Sequence, residues 1–148
     1  MKQPQEITLL IVDDDDIGVA SVQRAMRKLG MSNPVRVGRN GLEALEQLQV
    51  LNDTPGRNPC LVLLDLNMPR MNGLEFLAEL RSRPELAHTI VFVLTTSEDP
   101  ADVANSNRYN VAGYVVKKNA YQSVLATVEM LQHYLRIACP GVIAPSAM

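Results

Sequence analysis

Two apolar runs in this chain stop on aspartate: Leu9-Leu10-Ile11-Val12 before Asp13-Asp14, and Leu61-Val62-Leu63-Leu64 before Asp65. Short apolar runs of this kind predict strands buried on both faces of a parallel sheet. If the two strands are neighbours, their carboxyl ends bring Asp13, Asp14 and Asp65 into one small crevice, where open α/β sheets bind ligands. Two unit charges about 4 Å apart cost on the order of 4 kcal/mol at an effective dielectric of about 20, so three ionised carboxylates need a counter-charge. A hard divalent cation with oxygen ligands meets that need.

The elements that must hold these residues follow from periodicity. After the first strand, Val19, Val22, Met26 and Leu29 recur at helical spacing until Gly30, with Asp15 or Asp16 as the cap. A short strand is expected over Val35 to Arg39, a helix from Gly41 carrying Leu45, Leu48 and Leu51, and a loop over Asn52 to Pro59. The strand ending at Asp65 comes next, then a helix carrying Leu74, Leu77 and Leu80, and a strand Ile90 to Leu94 that runs into Thr95-Thr96-Ser97. Asp99-Pro100 opens a helix that dwindles in Asn105-Ser106-Asn107. Val111 to Val116 gives the last strand, and Val124, Val128, Leu131 and Leu135 mark a closing helix. Strand and helix alternate five times, which predicts a doubly wound α/β fold: a parallel sheet covered on both faces with right-handed crossovers.

With 148 residues, 47% of them apolar and 20% charged, the chain has the composition of one ordinary globular domain. Its 14 basic and 16 acidic residues give a net charge of −2, without the basic footprint of a nucleic-acid or membrane-surface binder. No apolar stretch approaches the roughly 20 residues of a membrane span, and Met1 to Glu6 lacks the apolar core of a secretion signal, so a cytoplasmic location is expected. Cys60 and Cys139 read as two reduced structural thiols.

Val12-Asp13-Asp14, Leu64-Asp65-Leu66-Asn67-Met68-Pro69 with Gly73, Leu94-Thr95-Thr96-Ser97 and Gly113-Tyr114-Val115-Val116-Lys117 follow one another in an order and spacing that resembles bacterial response-regulator receiver domains. The resemblance covers residues 7 to 137, leaves 138–148 as a tail without an output domain, and implies a flavodoxin-like five-stranded sheet of strand order 2-1-3-4-5. The run from Asp65 to Gly73, the Leu-Thr-Thr-Ser run and the long loop before the third strand look like the stand-alone regulators paired with phytochrome kinases.

What the resemblance implies is a phosphoacceptor of the two-component phosphorelay type, which catalyses its own phosphotransfer and dephosphorylation without turning over a separate substrate. Asp65 would accept a phosphoryl group from a sensor histidine kinase, while Asp13, Asp14 and the backbone carbonyl of Asn67 hold Mg²⁺ beside it. A carboxylate is chemically able to form an acyl phosphate, and Mg²⁺ suits one or two carboxylates plus phosphate oxygens. Lys117 would pair with the phosphoryl oxygens and Thr95, next to Thr96, would donate its hydroxyl. In the family, an aromatic on the last strand then turns inward, and Tyr114 holds that position. The side chains that tune phosphoryl lifetime in the family match Asn67 and Ser97.

Each residue also has a plainer reading. Asp13 to Asp16 could cap a helix, Lys117 alone reads as a solvated lysine, and Thr95-Thr96 as a β-branched strand end. His88 and His133 have no ligand spacing, and Met26, Met68 and Met71 read as packing. One departure from the family pattern is Lys118, where a proline usually follows the lysine; a non-proline cis bond costs about 3 to 4 kcal/mol, so a trans bond or local strain is expected there.

Output would come through protein contact with a downstream partner, through relay to a histidine phosphotransfer protein, or through draining phosphate from a kinase. A tail carrying Val142 and Ile143 between Pro140 and Pro145 could pack on a second copy as a homodimer. The rival from another class, a Mg²⁺-dependent aspartyl-phosphate phosphatase, needs an aspartate two residues after the nucleophile, where this chain has Asn67.

Overall fold

The computed structural model describes residues 7–56, 59–118 and 120–138. Its five strands are β1 (Thr8–Val12), β2 (Val35–Gly38), β3 (Cys60–Leu64), β4 (Ile90–Thr95) and β5 (Gly113–Val116). They are all parallel and lie in the order β2-β1-β3-β4-β5. Between and after them run α1 (Asp16–Lys28), α2 (Gly41–Asp53), α3 (Gly73–Ser82), α4 (Pro100–Arg108) and α5 (Ala120–Ala138). This is the doubly wound α/β sheet that the alternation of patterns predicts, with the flavodoxin-like strand order that the resemblance implies.

Side chains alternate across a strand, so the central strands feed two cores. Leu9, Ile11, Leu61 and Leu63 pack with Val19, Val22 and Met26 of α1 and with Val124, Val128 and Leu131 of α5. Leu10, Val12, Val62 and Leu64 pack on the opposite face with Leu45 and Leu48 of α2 and Phe76, Leu77 and Leu80 of α3. Both faces are dry, which is why each strand reads as an unbroken apolar run. Asp13 and Asp65 are the next odd-numbered residues after Ile11 and Leu63, so strand parity aims both at the α1 and α5 side.

Local signals set the boundaries. The Asp15 side chain accepts from the Ile17 N–H and caps α1. Gly30, at φ +70°, ends that helix with its N–H on the Arg27 carbonyl and the Met31 N–H on the Met26 carbonyl, a turn that only glycine adopts without strain. Asn72 and Glu75 form a reciprocal capping box at the start of α3.

The structure corrects four boundaries. The second strand stops at Gly38, one residue before Arg39, and β5 begins at Gly113, not Val111. Helix α2 continues through Asn52 and Asp53, where the Gln49 amide donates to Asp53 four residues on. Helix α4 does not fade at Asn107 but runs to Arg108, because Ser106 is fully buried and tertiary packing overrides weak helix formers.

Met26 and Met68 are buried in the core, Met71 packs at its margin, and His88 and His133 are exposed. Cys60 is a free thiol at the start of β3; Cys139, Val142 and Ile143 lie outside the described residues. Among the described residues, no helix is long and apolar enough to cross a membrane.

Candidate functional site

The register of β1 against β3 pairs Val12 with Leu64, so the residues that follow emerge level. The Asp65 N–H donates to the Val12 carbonyl at 2.9 Å and the Asp13 N–H to the Gly38 carbonyl at 3.0 Å, fixing both backbones. Asp13, Asp14 and Asp65 each present a carboxylate oxygen within 4.8 Å of the other two. Asp13 is buried, Asp14 is exposed and Asp65 is half-buried. This all-oxygen donor set, open to water on the Asp14 side, fits a hard cation that keeps part of its hydration shell, as Mg²⁺ does.

Asp13 is the most constrained member. One oxygen accepts the Asp15 N–H at 2.9 Å and the other faces the Lys117 ammonium at 3.6 Å. Burial pushes its carboxyl above the usual range; the Asp15 N–H and Lys117 pull it back, and the charges of Asp65 and Asp15 push it up again. Gly18, on the first turns of α1, has no room for a side chain: a Cβ there would lie 2.5 Å from Asp13 Oδ2.

The loop after Asp65 is equally tight. Gly73 donates to the Leu66 carbonyl at 3.0 Å, and a Cβ at 73 would approach the Asp65 carbonyl oxygen to 2.8 Å. The Asn67 N–H lies 3.4 Å from Asp65 Oδ1, a long contact that turns the exposed Asn67 backbone over the carboxylate. Arg70 takes a left-handed conformation at φ 65°, and the Met71 carbonyl then accepts the Gly41 N–H, tying this loop to α2.

From the other side come the ends of β4 and β5. Lys117 shares a small crevice with Asp13, Gly18 and Asp65, and its N–H donates to the Thr95 carbonyl at 2.8 Å. Thr95 is fully buried, with its hydroxyl accepting the Ser97 N–H at 3.3 Å. The Tyr114 hydroxyl donates to the Ser97 carbonyl at 3.0 Å, and its half-buried ring packs against the α2 and α3 core. Burial raises the pKa of this phenol. Thr96 is exposed, one residue beyond.

The structure thus brings Asp13, Asp14, Asp65 and Lys117 to one crevice and links Thr95, Ser97 and Tyr114 in a chain beside it. No peptide bond among the described residues is cis, so Lys117–Lys118 is trans. The Lys118 N–H donates to the Ser123 hydroxyl, while its exposed ammonium lies 3.4 Å from Glu98. Sequence reasoning missed Gly18, although a glycine two residues after a run of acids is a usable sign of close approach. It also missed Asp102, whose carboxylate accepts the Ser97 hydroxyl; its only signal is an acid three residues after the Asp99 cap.

Comparison with known proteins agrees with this geometry. The model of the response regulator receiver domain matches residues 9–129. A probable methanogenesis regulatory protein, FilR2 of Methanothrix harundinacea, is 32% identical over 127 residues, covering 85% of this chain and 81% of that protein. Response regulator Rcp1 of Synechocystis is 31% identical over 85% of this chain and 86% of its own. Its Mn²⁺-bound crystal structure superposes with a TM-score of 0.72 at 30% identity, over 92% of this chain and 96% of that one. The phosphorylated cyanobacterial phytochrome response regulator RcpA gives a TM-score of 0.74 at 27% identity, over 89% and 93% of the two chains. A parallel sheet with level aspartates at the ends of β1 and β3, a lysine beyond β5 and a family match over most of the chain lead to one conclusion: the protein is a response regulator belonging to the receiver-domain family.

Proposed function

We propose that Asp65 is the phosphoacceptor of this receiver domain, which spans residues 7–137, and that its donor is a sensor histidine kinase of the phytochrome type. The observation that carries this reading is the cluster of three carboxylate oxygens within 4.8 Å of one another, with Lys117 at its inner wall. Relatives that are phytochrome-linked, as RcpA is, support the choice of kinase.

In the transfer, an Asp65 oxygen attacks phosphorus, the phosphorus–nitrogen bond of the donor phosphohistidine breaks, and its electron pair returns to the imidazole. Asp13, Asp14, Asp65 and the Asn67 carbonyl would hold Mg²⁺, which supplies neutralisation of charge on the phosphoryl oxygens. Lys117 adds a second positive charge from the β5 side, and buried Thr95 offers its hydroxyl. Gly18 and the Asp15 N–H keep Asp13 aimed at the cluster.

The added charge and acceptor oxygens draw on Thr95, and Tyr114 reports that change to the surface formed by residues 98 to 125. Moving a two-state equilibrium from mostly inactive to mostly active needs roughly 5 kcal/mol of differential stabilisation, within reach of a few charge-assisted hydrogen bonds. Signalling then proceeds through contact with a downstream protein.

Incubation with acetyl phosphate and Mg²⁺ followed by intact-mass measurement tests the reading. The wild type is expected to gain one phosphoryl group only in the presence of the cation, and Asp65→Asn none. Equal uptake by Asp65→Asn would refute the assignment.

A further inference from the structure

Ser97, two residues beyond Thr95, has each of its polar atoms in a hydrogen bond. Its N–H donates to the Thr95 hydroxyl at 3.3 Å and its carbonyl accepts the Tyr114 hydroxyl at 3.0 Å. Its own hydroxyl donates to Asp102 Oδ2 at 2.5 Å and accepts the Asp99 N–H at 3.3 Å. One residue therefore joins the end of β4, the last strand and the first turn of α4. The Asp102 contact is part-buried, where competition from water is weakened. Asp102 sits three residues after the Asp99 cap, on a turn that favours a negative charge whether or not Ser97 is there.

We infer that Asp102 is a positioning residue for loss of the phosphoryl group: it holds the Ser97 hydroxyl on α4, and the lifetime of the aspartyl phosphate is set by that pair. The inference rests on Asp65 being the phosphoacceptor. In the hydrolysis, a water oxygen attacks phosphorus, the bond from phosphorus to the Asp65 oxygen breaks with its electrons returning to the carboxylate, and both water protons leave on inorganic phosphate. On this reading the Ser97 hydroxyl, two residues beyond Thr95, orients that water. While Asp102 takes its proton and the Asp99 N–H takes a lone pair, it is withheld from that task.

The test is the decay of label on protein charged with acetyl phosphate and Mg²⁺, then freed of donor, for the wild type, Asp102→Ala, Asp102→Asn, Ser97→Ala and the Ser97→Ala/Asp102→Ala double variant. Asp102→Ala is expected to shorten the lifetime two- to tenfold. Asp102→Asn keeps an acceptor oxygen without the charge and should stay within twofold of wild type. The double variant should decay at the rate of Ser97→Ala alone, since Asp102 acts only through that hydroxyl. An Asp102→Ala effect that persists without the Ser97 hydroxyl, or an equal effect of Asp102→Asn, would overturn the inference in favour of helix charge. Should Asp102→Ala not fold, Asp102→Thr, whose hydroxyl ends one bond short of the carboxylate oxygen, is read against the same criteria. Failure of the wild type to take up any label speaks against Asp65 instead, so the two readings fail separately.

Discussion

The ammonium of Lys117 lies 3.6 Å from Asp13 Oδ2, so the cation beyond β5 is paired with the buried carboxylate beyond β1. Their side chains are only 17% and 8% exposed, which makes this a poorly solvated pair. Removing one partner of such a pair leaves an uncompensated charge, and the loss exceeds what the pair itself contributes. Lys117→Ala is expected to lower metal-free stability by about 1 to 3 kcal/mol in urea unfolding. With saturating Mg²⁺ the cation takes over as counter-charge, and the loss should shrink to under about 1 kcal/mol. An equal loss with and without Mg²⁺ would show that Lys117 and the cation do not share Asp13.

Gly18 separates site geometry from fold stability. Alanine in a helix interior is better than glycine by roughly 0.5 to 1 kcal/mol, an upper bound at the third residue of α1, so Gly18→Ala does not weaken the helix by propensity. The new Cβ would sit 2.5 Å from Asp13 Oδ2, and the carboxylate must turn away, losing its place against Asp14, Asp65 and Lys117. The expected result is an at least tenfold higher Mg²⁺ concentration for half-maximal phosphoryl uptake, with an unfolding temperature within about 3 °C of wild type. Unchanged Mg²⁺ affinity would show that Asp13 tolerates the displacement.

Arg81 does structural work far from the crevice. Its guanidinium donates to the carbonyls of Tyr109 at 2.7 Å, Ala87 at 2.9 Å, Thr89 at 2.7 Å and Asn110 at 3.3 Å, binding the last turn of α3 to the entry of β4 and the exit of α4. Burial lowers its pKa, yet a guanidinium stays charged at any working pH. Arg81→Ala strips four carbonyls of a donor and should cost about 2 to 4 kcal/mol, or roughly 5 to 15 °C in unfolding temperature. Arg81→Lys should recover less than half, because an ammonium cannot reproduce the planar fork. Calorimetry of the three proteins decides it, and full recovery by lysine would mean that charge alone suffices.

The contrast between Arg81 and Asp65 shows what a sequence discloses. Asp65 announces itself because a doubly buried strand is apolar to its end, so the first acid marks the carboxyl edge of the sheet. Asp13 does the same on β1, and strand parity puts the two together. Arg81 acts across elements distant in sequence, and Gly18 and Asp102 act on residues five positions away whose approach is set by how the helices pack. Arg81 reaches carbonyls 28 and 29 residues away, and nothing about a lysine or arginine at the end of an amphipathic helix distinguishes this grip from a solvated charge. Gly18 matters only because α1 crosses close to Asp13, a distance set by the packing of Val19 and Val22 rather than by local pattern. Ser97 was legible as a position, but its commitment to Asp102 depends on where α4 begins.

Cys60 gives a prediction on pH that is independent of the crevice. Burial pushes its thiol up to about 12 from an ordinary 9.0, with a Leu10 backbone hydrogen bond and the charge of Arg36 acting weakly the other way. Because the folded protein keeps this proton to a higher pH than the unfolded chain, its contribution to stability is whole below pH 9 and is lost as pH rises from 9 towards 12. In a Cys139→Ser background, the stability difference between Cys60 and Cys60→Ala should move against the cysteine by roughly 1 to 2 kcal/mol between neutral pH and a pH about one unit above the ordinary thiol value. The same shift predicts that iodoacetamide modifies folded Cys60 two to three orders of magnitude more slowly than a free thiol at mildly alkaline pH, since the thiolate is the nucleophile. Alkylation at the rate of a free thiol, with full secondary structure retained, would mean that the half-buried Cys60 thiol is solvated in the folded protein, unlike its neighbours Leu61 and Val62, which are 2% and 0% exposed.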